Sequence, residues 1–180
     1  MSKKIHKVAC IGTHGVGKST FCYQLAKLFK SQSKNVHIVQ ERVRFSPFPI
    51  NTGMSVETAI WASANQVSKE LEASQRGFDV IICDRCTYDT FMYAQYFNLN
   101  APTLTATRKM AEAWLETYDS FYWIRPDMEP HDDGVRSTDL TFINGVDTLF
   151  EREVYPLVSA KTQILYTSDV FSEEFSLCKK

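Results

Sequence analysis

The chain has 180 residues, 44% of them hydrophobic and 23% charged, with a formal net charge of −1. That length and balance exclude a disordered polypeptide and predict one domain, residues 1–180, with room for a sizeable core. No run approaches the roughly 20 apolar residues of a membrane span, near-neutrality gives no global attraction to duplex nucleic acid, and the five cysteines do not form a disulfide pattern.

Met1-Ser2-Lys3-Lys4 leads straight into an apolar strand pattern over residues 5–11 without a secretory apolar region, so a cytoplasmic location is expected. Next comes Gly12-Thr13-His14-Gly15-Val16-Gly17-Lys18-Ser19-Thr20, which fulfils G-x-x-x-x-G-K-S/T, and then an amphipathic helix pattern from Phe21 to Phe29. Strand, glycine-rich loop and helix together predict a phosphate-binding loop. Glycines let successive N–H groups turn toward phosphate oxygens, and the helix directs the positive end of its dipole at them. Lys18 reaches the terminal phosphates, and Ser19 is a candidate magnesium ligand. The motif leaves His14 free, and His6, His37 and His131 show no metal-ligand spacing with it, so it receives no catalytic role.

Residues 35–40 read as a second strand, ending at Glu41-Arg42-Val43-Arg44. Ligands of parallel α/β sheets bind beyond the carboxyl ends of strands, so Glu41 is placed either to face the loop's ligand or to end the strand in solvent. Residues 45–53, with Phe45, Pro47, Phe48 and Pro49, form either a cover over a substrate pocket or a packed connection. From Ser55 to Arg76 a helical pattern places Val56, Ile60, Ala64, Val67 and Leu71 on one stripe, read as core, with Gly77 as the stop. Trp61 and Gln66 lie beside that stripe, facing the pocket or the helix surface.

Residues 78–84 are an apolar strand ending in an acid, the Walker B pattern, which sets Asp84 beside Ser19 where a carboxylate holds magnesium or its water shell. Cys83-Asp84-Arg85-Cys86 has C-x-x-C spacing, but one pair without a second pair or a nearby histidine points to reduced structural thiols rather than zinc. Helices are expected from Cys86 to about Phe97 and from Thr103 to about Tyr118, followed by a strand over residues 120–124 whose aromatic side chains are read as core. The polar, turn-rich segment from Arg125 to Arg136 predicts a lid over approximately residues 125–139 that carries both arginines toward the transferring phosphate. A helix from residues 137–139 toward Pro156, a last strand over 162–167 and a tail with a short helix at most complete the chain. Alternating strands and helices after a phosphate-binding loop define the expected fold as α/β: a P-loop NTPase three-layer sandwich, with a five-stranded parallel sheet, helices on both faces and an arginine-bearing lid.

Taken together, these segments resemble the small AAA-labelled P-loop ATPases and kinases related to the nicotinamide riboside kinase domain of bacterial regulators of NAD synthesis. Besides the phosphate loop, Glu41-Arg42-Val43-Arg44 is similar to the group's E-x-A-R element, with Val43 in place of alanine. Asp84-Arg85-Cys86-Thr87-Tyr88-Asp89 is similar to its D-R-x-P-L-D element, with Thr87 in place of proline, and Asp132-Asp133-Gly134-Val135-Arg136 to its D-D-G-x-R lid element. Gln66 and Glu70 fall where the long helix of these proteins often carries a glutamine and a glutamate. The resemblance implies a kinase-like site but does not fix the acceptor.

The residues divide the expected labour as follows. Gly12, Thr13, His14, Gly15, Val16, Gly17, Lys18, Ser19 and Thr20 hold ATP, together with Arg125; Ser19 and Asp84 organise Mg²⁺. Glu41 is the first candidate for general base and Asp84 its rival, Arg125 and Arg136 offset transition-state charge, and Arg44, Gln66 and Arg85 bind the acceptor together with Glu41. The reaction expected is ATP- and Mg²⁺-dependent phosphoryl transfer to a nucleoside- or nucleotide-like small molecule. Two other readings stay open at this point, a kinase acting on a polynucleotide end or modified base, and a regulatory ATPase without an acceptor.

Overall fold

A computed structural model describes residues 4–130 and 137–172. Its sheet has five parallel strands in the order β2-β3-β1-β4-β5, where β1 is His6–Ile11, β2 is Val36–Val39, β3 is Val80–Asp84, β4 is Ser120–Arg125 and β5 is Thr162–Tyr166. The α/β three-layer P-loop arrangement expected from the sequence is the one observed. Parallel strands need crossover connections, and helices supply them: α1 (Lys18–Ser31), α2 (Val56–Ser74), α3 (Thr87–Tyr96), α4 (Ala101–Leu115), α5 (Leu140–Leu149) and α6 (Tyr155–Val158), while α7 (Thr167–Phe171) follows β5.

The alternation of side chains along β1 divides the core into two layers. Val8 and Cys10 face Phe21, Cys22 and Leu25 of α1, together with Ile82, Leu165 and Val170. Ala9 and Ile11 face the opposite way, into a larger cluster with Tyr88, Met92, Ala111, Phe121, Trp123, Phe142 and Phe150. The central strands are apolar on both faces because both faces are covered, and for the same reason Phe121 and Trp123 are core as their strand position implied.

Helix α2 departs from its expected orientation. The stripe read as core is turned outward, with Ile60 41% and Leu71 49% exposed. The buried face is instead Thr58, Ala59, Ala62, Ser63, Gln66, Glu70 and Ala73. Small residues on this face let α2 approach α3 and α4 closely, and the two large polar side chains are accommodated by hydrogen bonds that hydrophobic periodicity cannot reveal. Ser55 and Thr58 form a capping box at its start, and Gly77, at φ +71°, follows its end.

Beyond β4 the helix from Leu140 is N-capped by Asp139, whose carboxylate accepts from the Thr141 N–H at 2.8 Å. It runs into a π-helical segment, Phe150–Val154, before α6. Residues 131–136, which include the middle of the expected lid and Arg136, lie outside the described residues.

Candidate functional site

The phosphate-binding loop joins β1 to α1 as the sequence requires, and its glycines serve two different needs. At Gly12, φ is +132° and a β-carbon would lie 2.4 Å from the Ile124 carbonyl oxygen, so glycine permits the close passage of β4. At Gly17, the N-cap of α1, φ is +88° and a β-carbon would press on the Phe171 ring. Helix α1 has no acidic residue in its first turn, which leaves the positive end of its dipole available to an anion. Lys18 is buried, and its ammonium donates to the Thr13 carbonyl, which holds the side chain back along the loop.

Register places the second component. Cys10 is the partner of Asp84 across the β1–β3 pair, so Asp84 ends its strand level with the start of the loop. Ser19 Oγ donates to Asp84 Oδ2 at 2.5 Å, while Asp84 Oδ1 is buried and has no hydrogen-bond partner. Burial raises the Asp84 pKa, and the Glu41 carboxylate adds to the rise; Ser19, Lys18 and Arg85 oppose it. A hydroxyl and a carboxylate with one uncommitted buried oxygen form a hard oxygen donor set of the kind magnesium takes. These residues therefore fit a divalent cation, with Ser19 and Asp84 as its protein ligands. Among the described residues no group of three or more His, Cys, Asp and Glu side chains is arranged to hold a metal. Cys83 and Cys86 are free buried thiols whose pKa values burial pushes well up, one within β3 and the other N-capping α3.

Arg85 turns the chain between the two halves of the site. Its N–H continues the sheet by donating to the Cys10 carbonyl at 3.0 Å, and its φ of +88° is a left-handed conformation that costs a non-glycine residue about 1–3 kcal/mol. This kink sends consecutive side chains in different directions. Asp84 meets Ser19 on the phosphate side, whereas the Arg85 guanidinium donates from Nε to Glu41 and from Nη1 to Asp89 Oδ1 at 3.2 Å. It also lies over the Tyr93 ring, 5.2 Å from the centroid. Asp89 is fully buried; burial pushes its pKa up against the pull of Arg85. Its other oxygen accepts from the Cys86 N–H at 2.8 Å, so one carboxylate both caps α3 and holds the arginine.

Glu41, Arg44, Asn51, Asp89, Tyr93 and His14 line a single cavity next to the phosphate loop. Residues 42–54 form one wall of it through Val43, Ile50 and Met54, so this segment is the cover over a pocket and not a packed connection elsewhere. The Thr58 hydroxyl ties that wall to α2 by donating to the Pro49 carbonyl at 2.7 Å. His14, read from sequence as a freely variable loop position, is buried: its Nδ1 lies 2.9 Å from the Tyr93 hydroxyl and its ring 4.4 Å from that of Phe142. It makes the phosphate loop part of this cavity's wall.

Other expected residues are placed differently. Gln66 is buried rather than on the helix surface, and its amide nitrogen donates to Glu70 Oε1 at 2.6 Å and to the Arg85 carbonyl at 3.1 Å. It therefore bonds the chain behind Arg85. Arg125 is the last residue of β4 and not part of a lid: it donates to Asp147 Oδ2 at 2.8 and 3.0 Å and to both oxygens of Glu151 at 3.1 Å, stacked on Trp123. Thr20 is exposed on α1. Asp89 and Tyr93 were missed as site residues, although Asp89 stands four residues after Arg85 on the start of a helix, a spacing at which opposite charges meet.

The matching family model, described as AAA domain, covers residues 7–157. A comparison with curated proteins gave no match. Among solved structures, NadR protein in complex with NR aligns with a TM-score of 0.69 at 18% identity, over 89% of this chain and 45% of that one. NadR protein in complex with NAD and AMP-PNP gives 0.63 at 15%, over 89% and 44%. This chain spans less than half the length of either, and at these identities the likeness concerns the fold alone. The family match includes the phosphate loop, the Asp84-Arg85 step and the cavity between them, and on that ground the chain belongs to the AAA domain family of P-loop proteins.

Proposed function

We propose that this protein is an ATP- and Mg²⁺-dependent kinase that transfers the γ-phosphoryl group to a hydroxyl of a nucleoside-like small molecule. The observation that carries the reading is the back-to-back arrangement about Asp84 and Arg85, with a phosphate loop and cation-binding pair on one side and a lined cavity with two carboxylates on the other. A switch or bare ATPase needs the first half only. The NadR structures with NR and with AMP-PNP support the choice by analogy of fold.

Phosphoryl transfer asks a protein for alignment and charge neutralisation more than for covalent chemistry. The loop's N–H groups and the α1 dipole hold the phosphates, and Lys18 exchanges the Thr13 carbonyl for a phosphate oxygen. Ser19 and Asp84 would hold a magnesium ion, which when bound would supply charge neutralisation for the phosphates. Glu41 lines the cavity and orients the acceptor hydroxyl or takes its proton, whereas Asp84 faces Ser19 on the donor side; this separation favours Glu41 over Asp84 as base. Arg85 is committed to Glu41 and Asp89, so it fits as the residue that aims these carboxylates at a sugar-like hydroxyl and not as a grip for an acceptor phosphate.

The test is incubation with ATP and Mg²⁺ and a panel of nucleosides, nucleotides, nicotinamide riboside and 5′-hydroxyl oligonucleotides, with products identified by mass. A nucleoside gaining one phosphate is the expected result. ATP hydrolysis unaffected by every acceptor would overturn the reading, as would transfer to oligonucleotides alone.

A further inference from the structure

We propose that Gln66 is a positioning residue for the transfer site, oriented by Glu70 from outside it. The proposal rests on the kinase reading above for its functional part, and on geometry alone for its structural part.

Glu70 is 1% exposed and accepts from four donors. Oε1 takes Gln66 Nε2 at 2.6 Å and the Tyr118 hydroxyl at 2.7 Å, while Oε2 takes Trp114 Nε1 at 2.7 Å and the Lys7 ammonium. Lys7 is held in turn by Thr117 Oγ1 at 2.7 Å and lies over the Trp114 and Tyr118 rings. A buried carboxylate with both oxygens satisfied by β1, α2 and the α4 end is a fixed point in the fold.

Gln66 and Glu70 are four residues apart on α2, hence on one face. A carboxylate only accepts, so it obliges Gln66 to present its NH₂ end. The second N–H of that group is then aimed at the Arg85 carbonyl, 3.1 Å away. With the Arg85 N–H on the Cys10 carbonyl, both backbone groups of the left-handed residue are tied, one by the sheet and one by Gln66. That conformation separates Asp84, on Ser19, from Arg85, on Glu41 and Asp89. Gln66 thus acts on both halves of the site without lining the phosphate loop, and Glu70 acts through Gln66.

Gln66→Met keeps the side-chain length and bulk but removes the donor, so the fold is retained. The readouts are thermal midpoint, amide hydrogen exchange at residues 84–87 and steady-state kinetics. Expected are a modestly lowered midpoint, since the Glu70 carboxylate and the Arg85 carbonyl both lose a donor, and an exchange rise of about tenfold confined to residues 84–87, the scale of the bond lost at Arg85. Turnover should fall about 10- to 100-fold, as for a misplacement of roughly 1 Å, with the KM for ATP unchanged. Parental exchange and turnover in this variant would overturn the proposal, and so would exchange raised throughout α2 and β3, which marks a packing role. Glu70→Gln should loosen the same 84–87 segment; parental exchange there would remove Glu70 from the proposal. Should the parent protein phosphorylate no acceptor, the kinase reading fails while the exchange measurements still decide the positioning role.

Discussion

Ser19 and Asp84 share a hydrogen bond of 2.5 Å that occupies Asp84 Oδ2 and leaves Oδ1 buried without a partner. A carboxylate so placed is costly to ionise in the absence of a cation, which is why its pKa is raised by burial and by Glu41. The sign follows from linkage. With a folded pKa above the ordinary aspartate value of about 3.9, stability associated with Asp84 is present below that value and is lost as pH rises through the folded pKa. Asp84→Asn should therefore gain on the parent in thermal midpoint as pH is raised from about 4 to about 7 without divalent ions, and should lose Mg²⁺-dependent stabilisation by nucleotide. A midpoint difference that is flat with pH would show that Asp84 does not carry this linkage.

Two substitutions separate donor binding from acceptor chemistry. Lys18→Ala should abolish transfer while leaving the fold, checked by circular dichroism alongside the assay. Glu41→Gln should lower turnover on the order of 10²- to 10⁴-fold, the contribution of a positioned general base. Near-parental turnover of the glutamine variant would eliminate Glu41 as base.

Gly12→Ala is expected to be a folding lesion more than a binding one. The new methyl would meet the Ile124 carbonyl at 2.4 Å from a backbone at φ +132°. Relief requires β4 to move, at a cost of roughly 2–4 kcal/mol. Chemical denaturation measures it, and a midpoint equal to the parent's would contradict the close approach.

Arg125 and Arg136 should behave differently. Removing Arg125 strips Asp147, which is 5% exposed, of its cation, so Arg125→Ala should cost about 1–3 kcal/mol of stability. On the lid reading of the sequence, Arg136→Ala should depress turnover far more than acceptor binding. If only acceptor affinity changed, the lid role would be wrong.

The orientation of α2 is tested from both sides. Leu71→Ser, on the outward face, should change stability by no more than about 0.5 kcal/mol. Ala59→Leu, at a fully buried position, should cost about 1–3 kcal/mol by overpacking. The reverse ranking in denaturant titration would restore the stripe to the core.

What the sequence determined by itself is everything that rests on local spacing. The phosphate loop needs its glycines, Lys18 and Ser19 within nine consecutive positions, and the flanking apolar runs fix strand before and helix after, so the α/β class and the strand ending at Asp84 were readable there. Tertiary structure alone decided the contacts between residues distant in sequence. The strand order brings Glu41, 44 positions before Arg85, within reach of its guanidinium, and the packing of α2 on α4 buries Glu70 under Trp114 and Tyr118. Periodicity assigned α2's Ile60 and Leu71 to the core because it weighs apolarity only; the fold buried Gln66 and Glu70 instead because their hydrogen bonds offset the cost of desolvation.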